Sequence, residues 1–138
     1  MMRNTIAAFT LAVFSIGASG LAEASDSFKK QSLSRTVMSG VRTKLGQHWH
    51  INNDCSLADV PVVRIVEPPK HGRLEIVRQS VFPTSSGKLE RCRTVKVMGL
   101  VAYYTAKAGY VGEDSFVLRS PYGEGKIADT TMNVTVLK

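Results

Sequence analysis

From Ser25 onward the sequence lacks a helical pattern: nowhere there does an apolar i, i+3, i+4 spacing persist for three turns. It also lacks the short motifs of the common enzymatic chemistries, with no Gly-x-Ser-x-Gly elbow, no His-Glu-x-x-His pair, no P-loop and no Cys-x-x-Cys. A catalytic pair would have to be assembled from His71, His48 or His50 with Asp54, Asp59 or a serine, and no activated nucleophile adjoins them. The chain therefore reads as no enzyme and as having no cofactor. Charge runs are missing too: 18 Lys and Arg oppose 11 Asp and Glu, net +7, but the basic residues are scattered. Without a basic run, a reading helix or interleaved aromatics, nucleic acid is excluded as a partner.

The one long apolar stretch, Ile6 to Ile16, follows Arg3 and precedes small residues and the triplet Ala22-Glu23-Ala24. An orienting charge, about ten apolar residues and a small-residue cleavage site make a secretory signal peptide. A bilayer span needs about twenty apolar residues, and Ser15, Gly17, Ser19 and Gly20 interrupt this run. The expectation is a signal peptide over residues 1–24, cleaved near Ala24, and a periplasmic or secreted product that does not span the membrane.

What remains is the size of one domain, with room for one modest core. Cysteine is scarce, and the two present, Cys55 and Cys92, would meet an oxidising compartment after export. An even count in a small exported domain reads as a disulfide, here Cys55 to Cys92. Closing that loop stabilises the fold by about 3 to 4 kcal/mol on the chain-entropy account. Arg3 and Glu23 leave together, so the mature charge stays at +7. A basic exported protein is drawn to anionic envelope polymers and acidic glycans.

Residues 25–36 are polar and read as a flexible lead-in; strands follow over 37–138. Leu45, Gln47, Trp49 and Ile51 alternate with Lys44, Gly46, His48 and His50, a period of two that separates a core face from a polar one. "PVVRIV" and "RLEIV" flank the turn "PPKHG". The run from Val95 to Tyr104 is apolar on both faces, which suits a central strand. "DSFVLRS" and "IADTTMNVTVL" form a hairpin across "PYGEG". The core candidates are Leu45, Trp49, Val63, Ile65, Leu74, Ile76, Val101, Tyr103, Phe116, Leu118, Val134 and Val136. About seven short strands with turns between them argue for an all-β, antiparallel β-sandwich.

"PPKHGRLEI", "VAYYTAKAGYVGEDSFVL" and "NVTVLK" together resemble the bacterial immunoglobulin-like or cadherin-like repeat over about Pro61 to Lys138. The resemblance implies an Ig-like sandwich and a binding role. It carries neither the tandem array of adhesins nor the antibody-type Cys-Trp-Cys order, because Trp49 precedes Cys55. In physical terms Gly109 and Gly112 permit positive φ at a sheet-to-sheet crossing, Asp114 can bind backbone amides there, and Tyr110 and Phe116 fill the end of the sandwich.

Three residue sets are candidates for a site. With Cys92 pointing inward on a strand, Arg91 and Arg93 would point outward beside Lys88, and with Lys96 they form the expected ligand-binding group. His48 and His50, two apart on one strand, could share zinc or copper with Asp54 or a distant His71, although the favoured reading leaves both on the solvent face with Lys44. Glu113, Asp114 and Asp129 offer oxygens for calcium, which wants six to eight ligands. The functional expectation is a non-catalytic exported binding or interaction module for an anionic glycan, envelope polymer or protein partner. The alternatives are a purely structural envelope domain and a weak His-based metal-binding protein.

Overall fold

A computed structural model describes residues 28–122 and 125–138. The expected signal peptide, 1–24, lies outside the described residues. The strands are β1 (Phe28–Met38), β2 (Thr43–His48), β3 (His50–Ile51), β4 (Leu57–Asp59), β5 (Arg64–Glu67), β6 (Gly72–Val81), β7 (Val97–Ala106), β8 (Gly112–Pro121) and β9 (Ile127–Leu137), with a short 3-10 helix, Gly87–Thr94, between β6 and β7. They form a sheet in the order β1-β9-β8-β5, a second in the order β2-β7-β6, and a small β3-β4 hairpin. The protein is all-β. Among the described residues there are nine strands where about seven were expected, the two additional ones being β1 and β4, the second strand of the small hairpin.

Burial follows the period of two. Along β9, Ala128, Met132, Val134 and Val136 are buried and the polar residues between them are not. The expected β8–β9 hairpin is present, paired from Gly112↔Val136 to Pro121↔Ile127. Val37, Leu45, Tyr104, Ala106, Phe116, Met132, Val134 and Val136 make one cluster, drawn from both larger sheets. β7 holds the central position its two apolar faces suggested, between β2 and β6.

The flexible lead-in is corrected. Residues 28–36 belong to β1, which pairs in parallel with β9 from Phe28↔Ile127 to Met38↔Leu137. The four-stranded sheet is therefore mixed and not purely antiparallel. Its main-chain ladder forms with the far end of the chain, so nothing local in residues 28–36 announces it.

A bulge corrects the faces of the segment from Leu45 to Ile51. Lys44 pairs with Tyr103 and Gly46 with Ala102, leaving Leu45 as the extra residue. A one-residue slip sends each later side chain to the opposite face. Trp49, expected to share the core face with Leu45, packs with Ile51 and Tyr103 against a second cluster, Val81, Val97 and Val101. His48 stands opposite Leu100 in the ladder and is half-buried, not on the solvent face. β7 thus serves two clusters, and Tyr104, 0% exposed, takes the core place expected of Tyr103. Ile65 is exposed on the edge strand β5, and Val63, Leu74, Ile76 and Leu118 are half-buried.

The disulfide forms as expected between Cys55 and Cys92, with Cα atoms 5.2 Å apart. It does not reach the centre of the two sheets: it joins the β3–β4 turn to the 3-10 helix. That turn is built by Asn52 and Ser56 main-chain pairing and by Asp54, whose carboxylate accepts from the Ser56 N–H.

Two of the three stretches that carried the family resemblance, Pro68 to Ile76 and Val101 to Leu118, meet at one corner. The Asp114 carboxylate, 6% exposed, accepts from the backbone N–H groups of Lys70, His71 and Ser115 and from the Tyr104 hydroxyl. His71 stacks on Tyr110, ring centroids 4.2 Å apart, and its carbonyl accepts from Lys107 N–H. Gly72 lies under Tyr104: a Cβ there would sit 2.5 Å from the ring, so only glycine fits.

Candidate functional site

The space between the two sheets is filled at one end only. Val37, Tyr104, Ala106, Val134 and Val136 close it there. Toward the other end it opens into a cleft of about 790 Å³. The volume lies within the usual range for small-molecule sites.

Both sheets supply its walls. Ile76 of β6 and Leu100 and Ala102 of β7 line one side; Phe116 and Leu118 of β8 and Met132 of β9 line the other. The inward positions of β1, Lys29, Gln31, Leu33 and Arg35, complete the edge nearest β2. Leu33 is 42% exposed although it faces the interior, because nothing in the described chain covers that edge. Arg35 braces β1 to β2 by donating from Nε to the Leu45 carbonyl, 3.2 Å. Lys44 lines the β2 side and donates to Gln47, 2.6 Å. Among the described residues the cleft is thus lined by three basic residues, Lys29, Arg35 and Lys44, and by no acidic one. A low-dielectric wall with cations at its edge attracts an anion more strongly than the same charges on an open face.

His48 spans the gap between the sheets, its Nε2 3.2 Å from the Pro121 carbonyl, which fixes that nitrogen as the N–H donor. Burial holds its pKa below the ordinary histidine value and the neighbouring His50 pushes the same way, against the Pro121 carbonyl and Asp59. The two rings meet edge to face, centroids 5.1 Å apart. His50 Nδ1 lies 2.9 Å from Asp59, not near Asp54. Asp54 is held by Ser56, whose hydrogen bonds keep its carboxyl below the usual range. The set His48, His50 and Asp54 is therefore not brought together, and His71 sits at the Asp114 corner. Among the described residues no three His, Cys, Asp or Glu side chains gather as a metal site. The calcium set is dispersed as well: Asp114 is filled by four donors, Asp129 is bound by the Arg119 guanidinium at 2.7 and 2.8 Å, and Glu113 accepts from Thr135.

The expected ligand group around Cys92 does not form as a strand face. Arg91 donates to the carbonyls of Lys88 and Asn53, clamping the helix to the β3–β4 turn beside the disulfide. Arg93 pairs with Glu90 at 3.4 Å, Lys96 lies over the Phe82 ring, and Lys88 is exposed. Strand alternation does not apply in a 3-10 helix, where positions three apart line up. The basic residues of β1 and β2 that do border the cleft were missed. The signal available was three basic residues, Lys29 and Arg35 at inward positions of β1 on either side of Leu33, and Lys44 next to Leu45 on β2.

No family model matches the sequence, and no curated protein matches it. Among solved structures, the chain is similar to that described as the solution structure of amebosin, at 13% identity and a TM-score of 0.40, covering 78% of this chain and 97% of that one. It is also similar to an endo-fucoidan hydrolase of glycoside hydrolase family 107, at 11% identity and a TM-score of 0.38, covering 78% of this chain and 13% of the hydrolase.

Proposed function

We propose that this chain is an exported, non-catalytic binding module of Ig-like sandwich build that holds an anionic envelope or extracellular component at the open edge between its sheets. The observation that carries this reading is the cleft lining, which among the described residues includes Lys29, Arg35 and Lys44 and no acidic residue. The net charge of +7 would add a long-range attraction of the same sign. Export is supported by the amino-terminal sequence and by the disulfide, which persists in oxidising compartments. The sandwich reading is supported by two sheets contributing to one cluster and by the β1-β9-β8-β5 and β2-β7-β6 orders.

The test is retention on anionic and neutral matrices across a salt series. Lys29→Glu with Lys44→Glu should abolish preferential retention on the anionic matrix, and Arg91→Glu should not, because Arg91 is engaged with Asn53. Salt should weaken retention of the unaltered protein, since exposed charges are screened over about 10 Å at 0.1 M. Retention unchanged by the double reversal would favour the purely structural envelope domain.

A further inference from the structure

Among the described residues four strands end the two larger sheets, β1 and β5 in one and β2 and β6 in the other. Each leaves main-chain N–H and C=O groups for another chain to pair with. β5 is four residues long and shifts register between Ile65 and Glu67, and β2 is broken by its bulge at Leu45. β6 is long but carries Glu75 between Arg73 and Arg78. β1 joins length to a single sign of charge: its 11 residues hold an unbroken register with β9 and include Lys29, Lys30 and Arg35 and no acidic residue.

The alternation of the strand decides which groups of β1 are free. Ser39 N–H donates to the Leu137 carbonyl on β9, so the odd-numbered residues before it turn their main chain toward β9 and the even-numbered ones turn theirs to the open side. Lys30, Ser32, Ser34 and Thr36 each present an N–H and a C=O there, and the Ser34 carbonyl takes a hydrogen bond from the Arg35 guanidinium, 2.9 Å. Side chains follow the other parity: Lys29, Gln31, Leu33 and Arg35 border the cleft, with Leu33 42% exposed.

These two sets select the occupant. A glycan has no alternating N–H and C=O at strand spacing to meet the first set. A second copy of β1 has them, yet it would bring three more cations to an edge that already holds three, and like charges across a strand pair destabilise it. An extended polypeptide with carboxylates opposite Lys29 and Arg35 and an apolar residue opposite Leu33 satisfies both sets. Inward-pointing charges deter apolar strands from an edge; the same charges favour an acidic one.

We infer that β1 binds an extended acidic segment of a partner protein, which adds to its open edge as an antiparallel strand and lengthens the four-stranded sheet. The inference rests on the reading of this edge as an anion site and names the class of its ligand.

The probe is the peptide Glu-Thr-Val-Thr-Thr-Glu-Glu, blocked at both ends, whose first residue stands opposite Arg35, third opposite Leu33 and last opposite Lys29 in antiparallel register. Added to protein with its disulfide intact, it should slow amide hydrogen exchange at Lys30, Ser32 and Ser34 by about tenfold or more at saturation. N-methylation of its second, fourth or sixth residue, whose N–H groups meet Ser34, Ser32 and Lys30, should abolish binding; N-methylation of the third or fifth, whose N–H groups face away, should not. Gln in place of its Glu residues should weaken binding roughly tenfold, and Lys29→Glu with Arg35→Gln should remove that difference. Unchanged exchange at saturating peptide, or binding indifferent to which residues are N-methylated, would overturn the strand addition. Anionic-matrix retention still sensitive to Lys29 and Lys44 in that case would leave the anion-binding function standing alone. Equal binding of the Gln peptide would overturn the acidic character of the partner. A free protein that sediments as a dimer with these three amides already protected would overturn the partner in favour of a second copy.

Discussion

The Tyr104 hydroxyl donates to the Asp114 carboxylate at 2.7 Å, from β7 of one sheet to β8 of the other, in a place closed to solvent. Tyr104 is central to the shared cluster, and Asp114 ties the same point to the β5–β6 turn through Lys70 and His71. Burial works to raise the Asp114 pKa, and the four hydrogen bonds outweigh it, so the carboxyl titrates below its ordinary value. Burial and the adjacent carboxylate push the Tyr104 phenol upward.

Asp114→Asn should destabilise the protein by about 2 to 4 kcal/mol, because the amide nitrogen would face N–H and O–H donors, and Tyr104→Phe by about 1.5 to 3 kcal/mol for one hydrogen bond to a charged group. A carboxyl with a depressed folded pKa contributes stability that is present above its unfolded pKa, about 3.9, and lost as pH falls through the folded value. Urea midpoints measured down the acid range should therefore fall for the unaltered protein, with a shallower fall for Asp114→Asn. Equal acid slopes would show that Asp114 titrates as an ordinary carboxyl.

Gly72→Ala tests the corner sterically. Its Cβ would meet the buried Tyr104 ring at 2.5 Å, and a ring held on both sides has little room to yield. The expected cost is about 1 to 3 kcal/mol, read as a lowered thermal midpoint with an unchanged β-type circular dichroism spectrum. Gly46→Ala, where a Cβ meets nothing within 4 Å, is the control and should be close to neutral.

The corner was legible because its chemistry is local in sequence: an Asp two residues past a glycine, a Gly-Tyr pair, and a His-Gly turn each state a geometric need. β9 was legible for the same reason, its apolar residues alternating without interruption. β1 was not. Its inward residues, Lys29, Gln31 and Arg35, line an open cleft instead of a packed core, so the alternation that marks a half-buried strand is absent. The Leu45 bulge was hidden as well, since a register slip is decided by pairing with β7 and leaves the sequence pattern of β2 unaltered. From that one residue follow the inward turn of His48 and the outward turn of Trp49.

The disulfide should act on the hairpin more than on the sheets. Non-reducing mass spectrometry should show the loss of two hydrogens that one bond implies. Reduction, or Cys55→Ser with Cys92→Ser, should lower stability by up to about 4 kcal/mol on the loop-closure account. Trp49, the sole tryptophan, packs beside the hairpin and reports on it. Its emission should shift to the red on reduction while the circular dichroism of the sheets persists. Loss of both signals together would mean that the bond supports the whole fold.

With His48 turned inward, its ring is partly removed from water and faces His50, and both effects hold its folded pKa below the ordinary value of about 6.5. Between the folded and unfolded values the unfolded chain binds the larger share of proton, so stability is full above about pH 6.5 and declines as pH falls through that window. His48→Gln retains a donor for the Pro121 carbonyl and cannot titrate. Urea midpoints between about pH 7 and pH 5 should drop for the unaltered protein and drop less for His48→Gln, and the ring protons of His48 should titrate below those of a histidine in a short peptide. A His48 that titrates at or above the ordinary value would place it in solvent, on the face that the uninterrupted alternation of the sequence assigns to it, and would remove the bulge at Leu45 from the account of this fold.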